Sequence, residues 1–208
     1  QSRLNIYFNG IPVRSNTENY LPLGGLFFSS ADVIVADKGA PSLVYGANSA
    51  GNELHIYSNP FSHDPFKVGV SSYFGNNGKQ GYQVNMSGHQ GRIHYKVFGN
   101  YYSQDSYRLS GDFEPVPRQL SGDRNNSDQE NMELMTMITP LLSKDHVYSL
   151  TAAFNSSEYG RPPATFKGKS YRMDYWNNLL LGIGGVSSFT GTLKMKNTIY
   201  FTSLQDTM

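Results

Sequence analysis

Apolar and polar residues alternate with a period of two along most of the chain after residue 65. In the first of these segments Phe66, Val68 and Val70 share one face, and small or polar residues lie between them. Successive side chains of a strand point to opposite faces, so this period predicts β-strands. The predicted strands cover residues 66–71, 82–87, 93–98, 132–138, 147–154, 171–181 and 192–202.

The connections between these predicted strands are mainly either short or long. Short turns are predicted at residues 76–78, 90–91 and 143–145, whereas residues 103–131 and 155–170 predict long polar loops. Short turns at one rim and long loops at the other are typical of an outer-membrane β-barrel. A soluble β-sandwich shows similar alternation, so the pattern leaves both architectures open.

The two architectures place the apolar face of the strands differently. In a barrel this face meets lipid and forms one continuous outer band, whereas in a sandwich it is buried between two sheets. The residues that distinguish them are Val70, Val84, Ile93, Val97 and Leu193.

Residues 1–60 are patterned less regularly and predict shorter strands. Residues 4–8 alternate and end at Asn9-Gly10, a dipeptide that favours a hairpin turn. The apolar, β-branched run at 32–36 predicts a buried strand, and residues 54–57 predict another. This region therefore differs in organisation from the long strands that follow it.

Charge and cysteine content exclude several functional classes. The chain has 17 Lys and Arg residues against 16 Asp and Glu residues, a net charge of +1. Because nucleic-acid binding needs a basic field, we expect no nucleic-acid partner. The chain has no Cys, so it carries no disulfide framework, thiolate metal site or Cys nucleophile.

The sequence also constrains how the protein could cross a membrane. No stretch approaches the ~18 consecutive apolar residues of a membrane helix, so a membrane-spanning form would have to be a barrel. The sequence starts at Gln1 inside patterned sequence, without a visible signal peptide. We therefore expect an internal fragment of a longer protein.

Three blocks within residues 3–60 resemble the plug domain of TonB-dependent outer-membrane receptors. Residues 4–13 (LNIYFNGIPV) resemble the strand–Asp-Gly–strand hairpin of the plug. Residues 31–46 (ADVIVADKGAPSLVYG) resemble its Ile-Glu-x-Ile-Glu-Val-x-(Lys/Arg)-Gly-Pro block, and residues 49–56 (SAGNELHI) resemble its last strand, Ala-Ile-Gly-Gly-Val-Ile-Asn-Ile. The order and spacing of the blocks agree with the family. The plug-motif positions are occupied by Gly10, Gly39, Pro41, Tyr45, Gly46 and Gly51.

Some positions depart from the family pattern. Asn9 stands where Asp is usual, but Asn-Gly forms the same turn. Pro41 comes one residue later than in the commonest form. Asn52-Glu53 replaces Gly-Val and places a charge in a strand that packs inside the barrel. We expect Glu53 to pair with a cation of the barrel lumen, unless it marks a divergent branch of the family.

The resemblance implies an all-β fold in two parts. Residues 1–60 would form the C-terminal part of a plug domain, and residues 61–208 would form antiparallel strands of an incomplete transmembrane β-barrel. A membrane barrel must close, because unpaired strand edges are costly in lipid. Barrels that enclose a plug have about 22 strands, so about seven would be a fragment of one.

The resemblance further implies a transport function rather than catalysis. The whole receptor would sit in the bacterial outer membrane, in contact with its lipid, and bind a scarce nutrient such as an iron–siderophore complex, haem, cobalamin or a glycan. A TonB-type periplasmic energy-coupling protein would drive import through the missing N-terminal part. No cofactor is implied. A soluble β-sandwich that binds carbohydrate or another ligand is the alternative.

The segment that follows the first plug hairpin supplies the candidate ligand-binding residues. In the resembled family this segment rises toward the extracellular face, where it can touch the ligand. The polar residues that suit this role are Arg14, Asn16, Glu18, Asn19 and Tyr20. A solvated loop is the alternative interpretation of the same residues.

Other polar groups predict little chemistry. Residues 123–128 place oxygen side chains at alternate positions, as calcium loops do, but lack the Gly expected at the sixth position. His89 and His94 lie across a predicted turn and could approach each other. Asp112 and Glu114 are close in sequence but have no evident cleft. We therefore predict no metal site and no enzyme activity.

Overall fold

A computed structural model describes residues 4–13, 26–37, 52–117, 119–162, 171–190 and 193–207 of the chain. The regular secondary structure of these residues is β-strand, arranged in one small and one large sheet. The all-β prediction is therefore confirmed. Among the described residues, no helix is long and apolar enough to cross a membrane.

The small sheet contains four strands in the order β2-β1-β4-β3. They are β1 (Leu4–Phe8), β2 (Ile11–Val13), β3 (Val33–Asp37) and β4 (Asn52–Tyr57). The predicted hairpin of β1 and β2 is confirmed, and its turn residues Asn9 and Gly10 have φ angles of 49° and 81°. Both angles are positive, as a type I′ turn requires, which explains the Asn-Gly pair. β4 runs parallel to β1 and antiparallel to β3.

The large sheet is an antiparallel meander of seven strands in which each strand pairs with its neighbours in sequence. The strands are β5 (Phe66–Phe74), β6 (Gln80–Gln90), β7 (Ile93–Gln104), β8 (Gln129–Pro140), β9 (His146–Arg161), β10 (Tyr171–Ser188) and β11 (Lys194–Thr207). Every strand predicted from the alternation is present.

The predicted strand ends were too early in several places. Residues 155–161 were expected in a loop but belong to β9, and the loop expected at 103–131 is confined to residues 105–128. The reason is that both faces of β9 become polar near its end. Asn155 and Ser157 are polar on the inner face and Ser156 and Glu158 on the other, so the apolar alternation stops before the strand does.

The meander separates the connections into two rims. The strand pairs β5–β6, β7–β8 and β9–β10 are connected at one rim, which we call the long-loop rim because the connection 105–128 lies there. The pairs β6–β7, β8–β9 and β10–β11 are connected at the other, the short-turn rim, where residues 91–92 and 141–145 make short connections. This asymmetry is the one expected for an outer-membrane barrel.

The two faces of the large sheet differ in exposure. The predicted apolar band is solvent-exposed, with exposed fractions of 75% for Val70, 41% for Val84, 49% for Ile93, 37% for Val97 and 58% for Leu193. This is the result expected for a barrel and the opposite of that expected for a sandwich. The other face, here called the inner face, is covered in part by the small sheet.

The small sheet and the inner face share one hydrophobic core. Phe8, Ile11 and Phe27 from the small-sheet region are buried in the same cluster as Phe98 and Leu180 of the large sheet. Across the contact, the Asn9 side-chain amide donates to the Met137 sulfur over 3.3 Å. Apolar packing therefore holds the two sheets together at their centre.

The absence of a side chain at Gly182 leaves space for Ile11 of β2. A Cβ at Gly182 would lie 2.5 Å from Cδ1 of the buried Ile11 and 3.3 Å from the Ile199 carbonyl oxygen. Because overpacking a core typically costs about 1–3 kcal/mol, we expect Gly182→Ala to lower the urea concentration at which the contact between the small sheet and the inner face unfolds.

Ile11→Val removes the Cδ1 atom that the new methyl would meet, so it completes a double-mutant cycle with Gly182→Ala. We expect the double variant Gly182→Ala/Ile11→Val to be less destabilised than the sum of the two single variants, because the added methyl fills the space left by Cδ1. Strictly additive effects would show that the two side chains do not meet.

Candidate functional site

Most residues predicted from the plug motif lie outside the described part of the chain. This applies to Arg14, Asn16, Glu18, Asn19 and Tyr20, and also to Gly39, Pro41, Tyr45, Gly46 and Gly51. Gly10 is described and forms the β1–β2 turn. The ligand role of the five polar residues therefore stays a prediction. Leu26, Phe28 and Ser29, among the first described residues after residues 14–20, border a cavity.

This cavity, the long-loop cavity, has a volume of about 310 Å³ and lies at the half of the inner face nearest the long-loop rim. The small-sheet region contributes Leu26, Phe28 and Ser29. The inner face contributes Tyr73, Gln83, Asn100, Tyr102, Gln129 and Asn131. The cavity is therefore formed where the small-sheet region meets strands β5–β8.

The lining combines aromatic rings with carboxamides. The rings of Tyr73 and Tyr102 lie 6.4 Å apart between centroids. None of the described residues that line the cavity carries a charge. A cation stands beside it, because Lys79 Nζ lies 5.9 Å from the centroid of the Tyr73 ring, a cation–π contact. The lining can thus stack on a ligand and both donate and accept hydrogen bonds.

A row of polar residues continues from this cavity across the inner face. Strand register pairs Gln83 with Asn100, Asn100 with Glu133, Glu133 with Asn155, and Asn155 with Asn178. We call these five residues the carboxamide row, with Glu133 as its single carboxylate. Directly paired residues of neighbouring strands have Cβ atoms about 4.5–5.5 Å apart, so the row is continuous.

Part of the carboxamide row is buried, and some of its polar atoms lack hydrogen-bond partners. Glu133 and Asn155 are 0% exposed and Asn178 is 1% exposed. The Nδ2 atoms of Asn155 and Asn178 have no hydrogen-bond partner among the described residues. The Glu133 carboxylate accepts hydrogen bonds from Ser29 and Ser30 of the segment that covers it. Buried polar groups are normally hydrogen-bonded, so the unpaired atoms of the row could each form a hydrogen bond with a ligand.

A second cavity, the short-turn cavity, lies on the other half of the inner face and has a volume of about 410 Å³. Its lining is charged, and includes Asp32, His63, Asp64, Lys67 and Lys96. The two cavities therefore differ in chemistry: one is neutral and the other ionic.

Lys96 ties the small-sheet region to the inner face beside this second cavity. Its ammonium donates to Asp32 Oδ2 over 2.6 Å and to the Ser58 hydroxyl over 2.8 Å. Asp32 also accepts from the Asn59 amide over 2.6 Å. The Lys96 side chain is only 5% exposed, whereas Asp32 is 45% exposed. A buried cation thus depends on a half-exposed carboxylate.

Among the described residues, the partner of Glu53 is His55 rather than a cation of the barrel lumen. Its carboxylate lies 3.0 Å from Nε2 of His55, two residues later on the same strand. Residues two apart on a strand share a face, which makes this pair a local feature of β4. The His55 ring stacks between Tyr7 at 4.9 Å and Tyr57 at 6.0 Å. The charge is therefore held within the small sheet.

The side chains of the weaker chemical motifs take part in structural contacts. The predicted approach of His89 and His94 is confirmed, with ring centroids 5.4 Å apart. Within the described residues, no group of three metal-ligating side chains comes together. Of the calcium-like residues, Asp123 accepts from Asn77 over 2.7 Å, and Asp128 pairs with Arg172 instead. These two carboxylates thus serve different contacts.

Asp112 lies in the connection 105–128, where the Ser110 hydroxyl donates to its carboxylate. This hydrogen bond holds the pKa of the Asp112 carboxyl below its usual value. An acid of lowered pKa stays ionised near neutral pH and is unsuited to donate a proton.

Solved structures with this architecture are membrane transporters and receptors. The copper transporter OprC matches 97% of this chain with a TM-score of 0.77 at 19% identity. The FrpB iron transporter of Neisseria meningitidis matches 95% with a TM-score of 0.75 at 13% identity. The siderophore receptor PiuA of Acinetobacter baumannii matches 97% with a TM-score of 0.69 at 15% identity. At these identities the likeness establishes the fold.

The chain corresponds to a part of these structures. It spans 30% of OprC, 32% of FrpB and 29% of PiuA. No family model and no curated protein matches the sequence.

Proposed function

Because the solved structures that share this fold are TonB-dependent outer-membrane receptors, we propose that this chain is part of such a receptor. Residues 1–60 would be the end of its plug, and residues 61–208 would be the first strands and loops of its barrel. The exposed apolar band on the large sheet supports a lipid-facing surface in the bacterial outer membrane.

The receptor would bind a scarce nutrient at its long-loop side and import it into the periplasm. The observation that carries this proposal is the long-loop cavity, which lies between the plug region and the barrel wall at the rim that would face outward. Residues 14–20 precede the segment that lines this cavity, so Arg14, Asn16, Glu18, Asn19 and Tyr20 would add to the ligand site.

Import would require movement of the plug. The segment 26–31 covers the carboxamide row, and Lys96 ties the same region to the wall. A TonB-type periplasmic partner acting on the missing N-terminal part would supply the energy to separate these contacts. The role proposed for this chain is therefore binding and gating, without a chemical reaction.

Cell fractionation followed by growth assays tests this proposal. An antibody against this segment should detect a protein well above 23.2 kDa in the outer-membrane fraction of the source bacterium. Deleting its gene should slow growth when one nutrient is limiting, among a panel of iron, copper, haem, cobalamin and glycans. Deleting the energy-coupling gene as well should add nothing to that defect. A band near 23.2 kDa in the soluble fraction would instead favour the β-sandwich binding module.

A further inference from the structure

We propose that the ligand of this receptor is neutral and rich in hydroxyl groups, of the oligosaccharide class, and that the long-loop cavity and the carboxamide row bind it. This inference rests on the proposed receptor function and specifies the chemistry of its ligand. Three independent features of the inner face support it.

The first feature is the lining of the long-loop cavity. Carboxamides such as Gln83 and Asn100 each offer two donors and an acceptor, which matches the hydroxyl groups of a sugar. The rings of Tyr73 and Tyr102 provide apolar faces on which the C–H face of a sugar ring can pack. Such a combination of aromatic and neutral polar groups binds by shape and hydrogen bonding, without charge.

The second feature is the distribution of charge. Carboxylate, catecholate and phosphate ligands are recognised mainly by cations, with Arg and Lys supplying charge-assisted hydrogen bonds. Among the described residues, Lys67 and Lys96 line the other cavity, and Lys96 is already paired with Asp32. The ligand residues predicted in segment 14–20 add one cation, Arg14, and one carboxylate, Glu18, so they add no net charge. Lys79 is placed over the Tyr73 ring. The acidic member of the carboxamide row is Glu133, which offers no positive charge to an anion.

The third feature is the set of buried atoms without partners. Asn155 Nδ2 and Asn178 Nδ2 need acceptors, and the Glu133 oxygens need donors once Ser29 and Ser30, which hydrogen-bond to the carboxylate, move away. A hydroxyl group supplies one donor and two acceptors, so a single class of ligand can satisfy all of these atoms. An anionic chelate supplies acceptors but leaves the carboxylate unpaired. The row would be reached after the segment with Ser29 and Ser30 moves away.

Equilibrium binding to the purified full-length receptor in detergent tests the inference. The probes are fluorescently labelled neutral oligosaccharides (maltoheptaose, xylohexaose, laminarihexaose and chitohexaose), with ferric enterobactin and haemin as anionic comparisons. Each is measured by fluorescence anisotropy at about 50 mM and about 500 mM NaCl, because screening weakens charged contacts and leaves neutral ones unchanged. We expect an oligosaccharide to bind with an affinity that is independent of salt.

Two variants locate the binding site. Asn100→Ala should weaken oligosaccharide binding about tenfold, since it removes hydrogen bonds from the cavity and the row. The matched control is Asn177→Ala, because Asn177 lies on the opposite face from Asn178 and bonds to Ser156 there over 2.7 Å. This control should bind as the parent does. Equal loss in both variants would overturn the assignment of the site.

The outcomes separate this inference from the proposed function. Salt-sensitive binding of ferric enterobactin or haemin, with no oligosaccharide bound, would overturn the inference and leave the receptor function standing. If no probe binds but deletion of the gene slows growth on iron or copper, the inference also fails while the receptor function stands. If no probe binds and the deletion strain grows normally on the whole nutrient panel, both are wrong.

Discussion

Replacing Asp32 by alanine is expected to loosen the plug region from the barrel wall much more than replacing Lys96 by methionine. Both changes break the same ion pair, but they leave different groups behind. Without Asp32, the Lys96 ammonium stays buried, with the neutral Ser58 hydroxyl and Ser30 carbonyl as its remaining partners. Removing one partner of a buried ion pair typically costs about 3–5 kcal/mol, because the other charge is left uncompensated.

Lys96→Met has a smaller expected cost because Asp32 can remain in contact with water. Its carboxylate is 45% exposed and keeps the hydrogen bond from the Asn59 amide. Methionine fills the buried volume of the lysine stem without carrying a charge. We therefore expect a cost on the order of 1 kcal/mol, similar to that of an exposed ion pair.

Hydrogen–deuterium exchange of the full-length protein measures this difference. Peptides that cover residues 26–37 and 52–59 should exchange about 100-fold faster or more in Asp32→Ala, since each tenfold change corresponds to about 1.4 kcal/mol of opening free energy. The double variant Asp32→Ala/Lys96→Met should recover most of the protection, because no buried cation remains. Equal acceleration in the two single variants would show that Lys96 is hydrated rather than buried.

Placing an arginine at Val70 is expected to destabilise the folded barrel in a bilayer, whereas an arginine at Ser71 should be tolerated. Val70 lies at the centre of β5, is 75% exposed and belongs to the apolar outer band. A charged side chain on the lipid face near the midplane costs about 2–4 kcal/mol. Ser71 points to the other face, where its cross-strand partner Gln83 lines the long-loop cavity.

The measurement is the urea midpoint of the receptor folded into liposomes, with folded protein followed by its heat-modifiable migration. Val70→Arg should shift the midpoint down strongly, and Ser71→Arg, which adds the same side chain one position later, should shift it little. A reversed order would mean that the faces of the strand are assigned the wrong way round. Equal, small shifts would show that the apolar band does not contact lipid.

The strands could be predicted because their signal is local. An apolar residue at every second position predicts a half-buried strand, and this is sufficient to find β5, β6 and β7 and to assign Val70 and Val84 to one face. The ends of β9 were missed because both of its faces become polar near Asn155. In a barrel wall whose interior is polar, loss of apolar alternation does not mark the end of a strand.

The candidate site was less accessible to sequence analysis. A signal for the carboxamide row exists, since Gln83, Asn100 and Asn155 occupy positions opposite the apolar face of their strands. Their assembly into a row depends on register across connections such as residues 105–128. No local pattern specifies that register, because it is set by the pairing of whole strands.

The chain's own residue pattern determined the class of secondary structure, the hairpin turn at Asn9-Gly10 and the side of each strand that carries apolar groups. Tertiary structure alone decided which polar residues meet, as the contacts of Lys96 with Asp32 and of Glu53 with His55 show. The physical reason is the distance along the chain over which each interaction acts. Backbone preference and side-chain alternation act over a few residues, whereas ion pairing and burial of polar groups depend on the three-dimensional packing of distant segments.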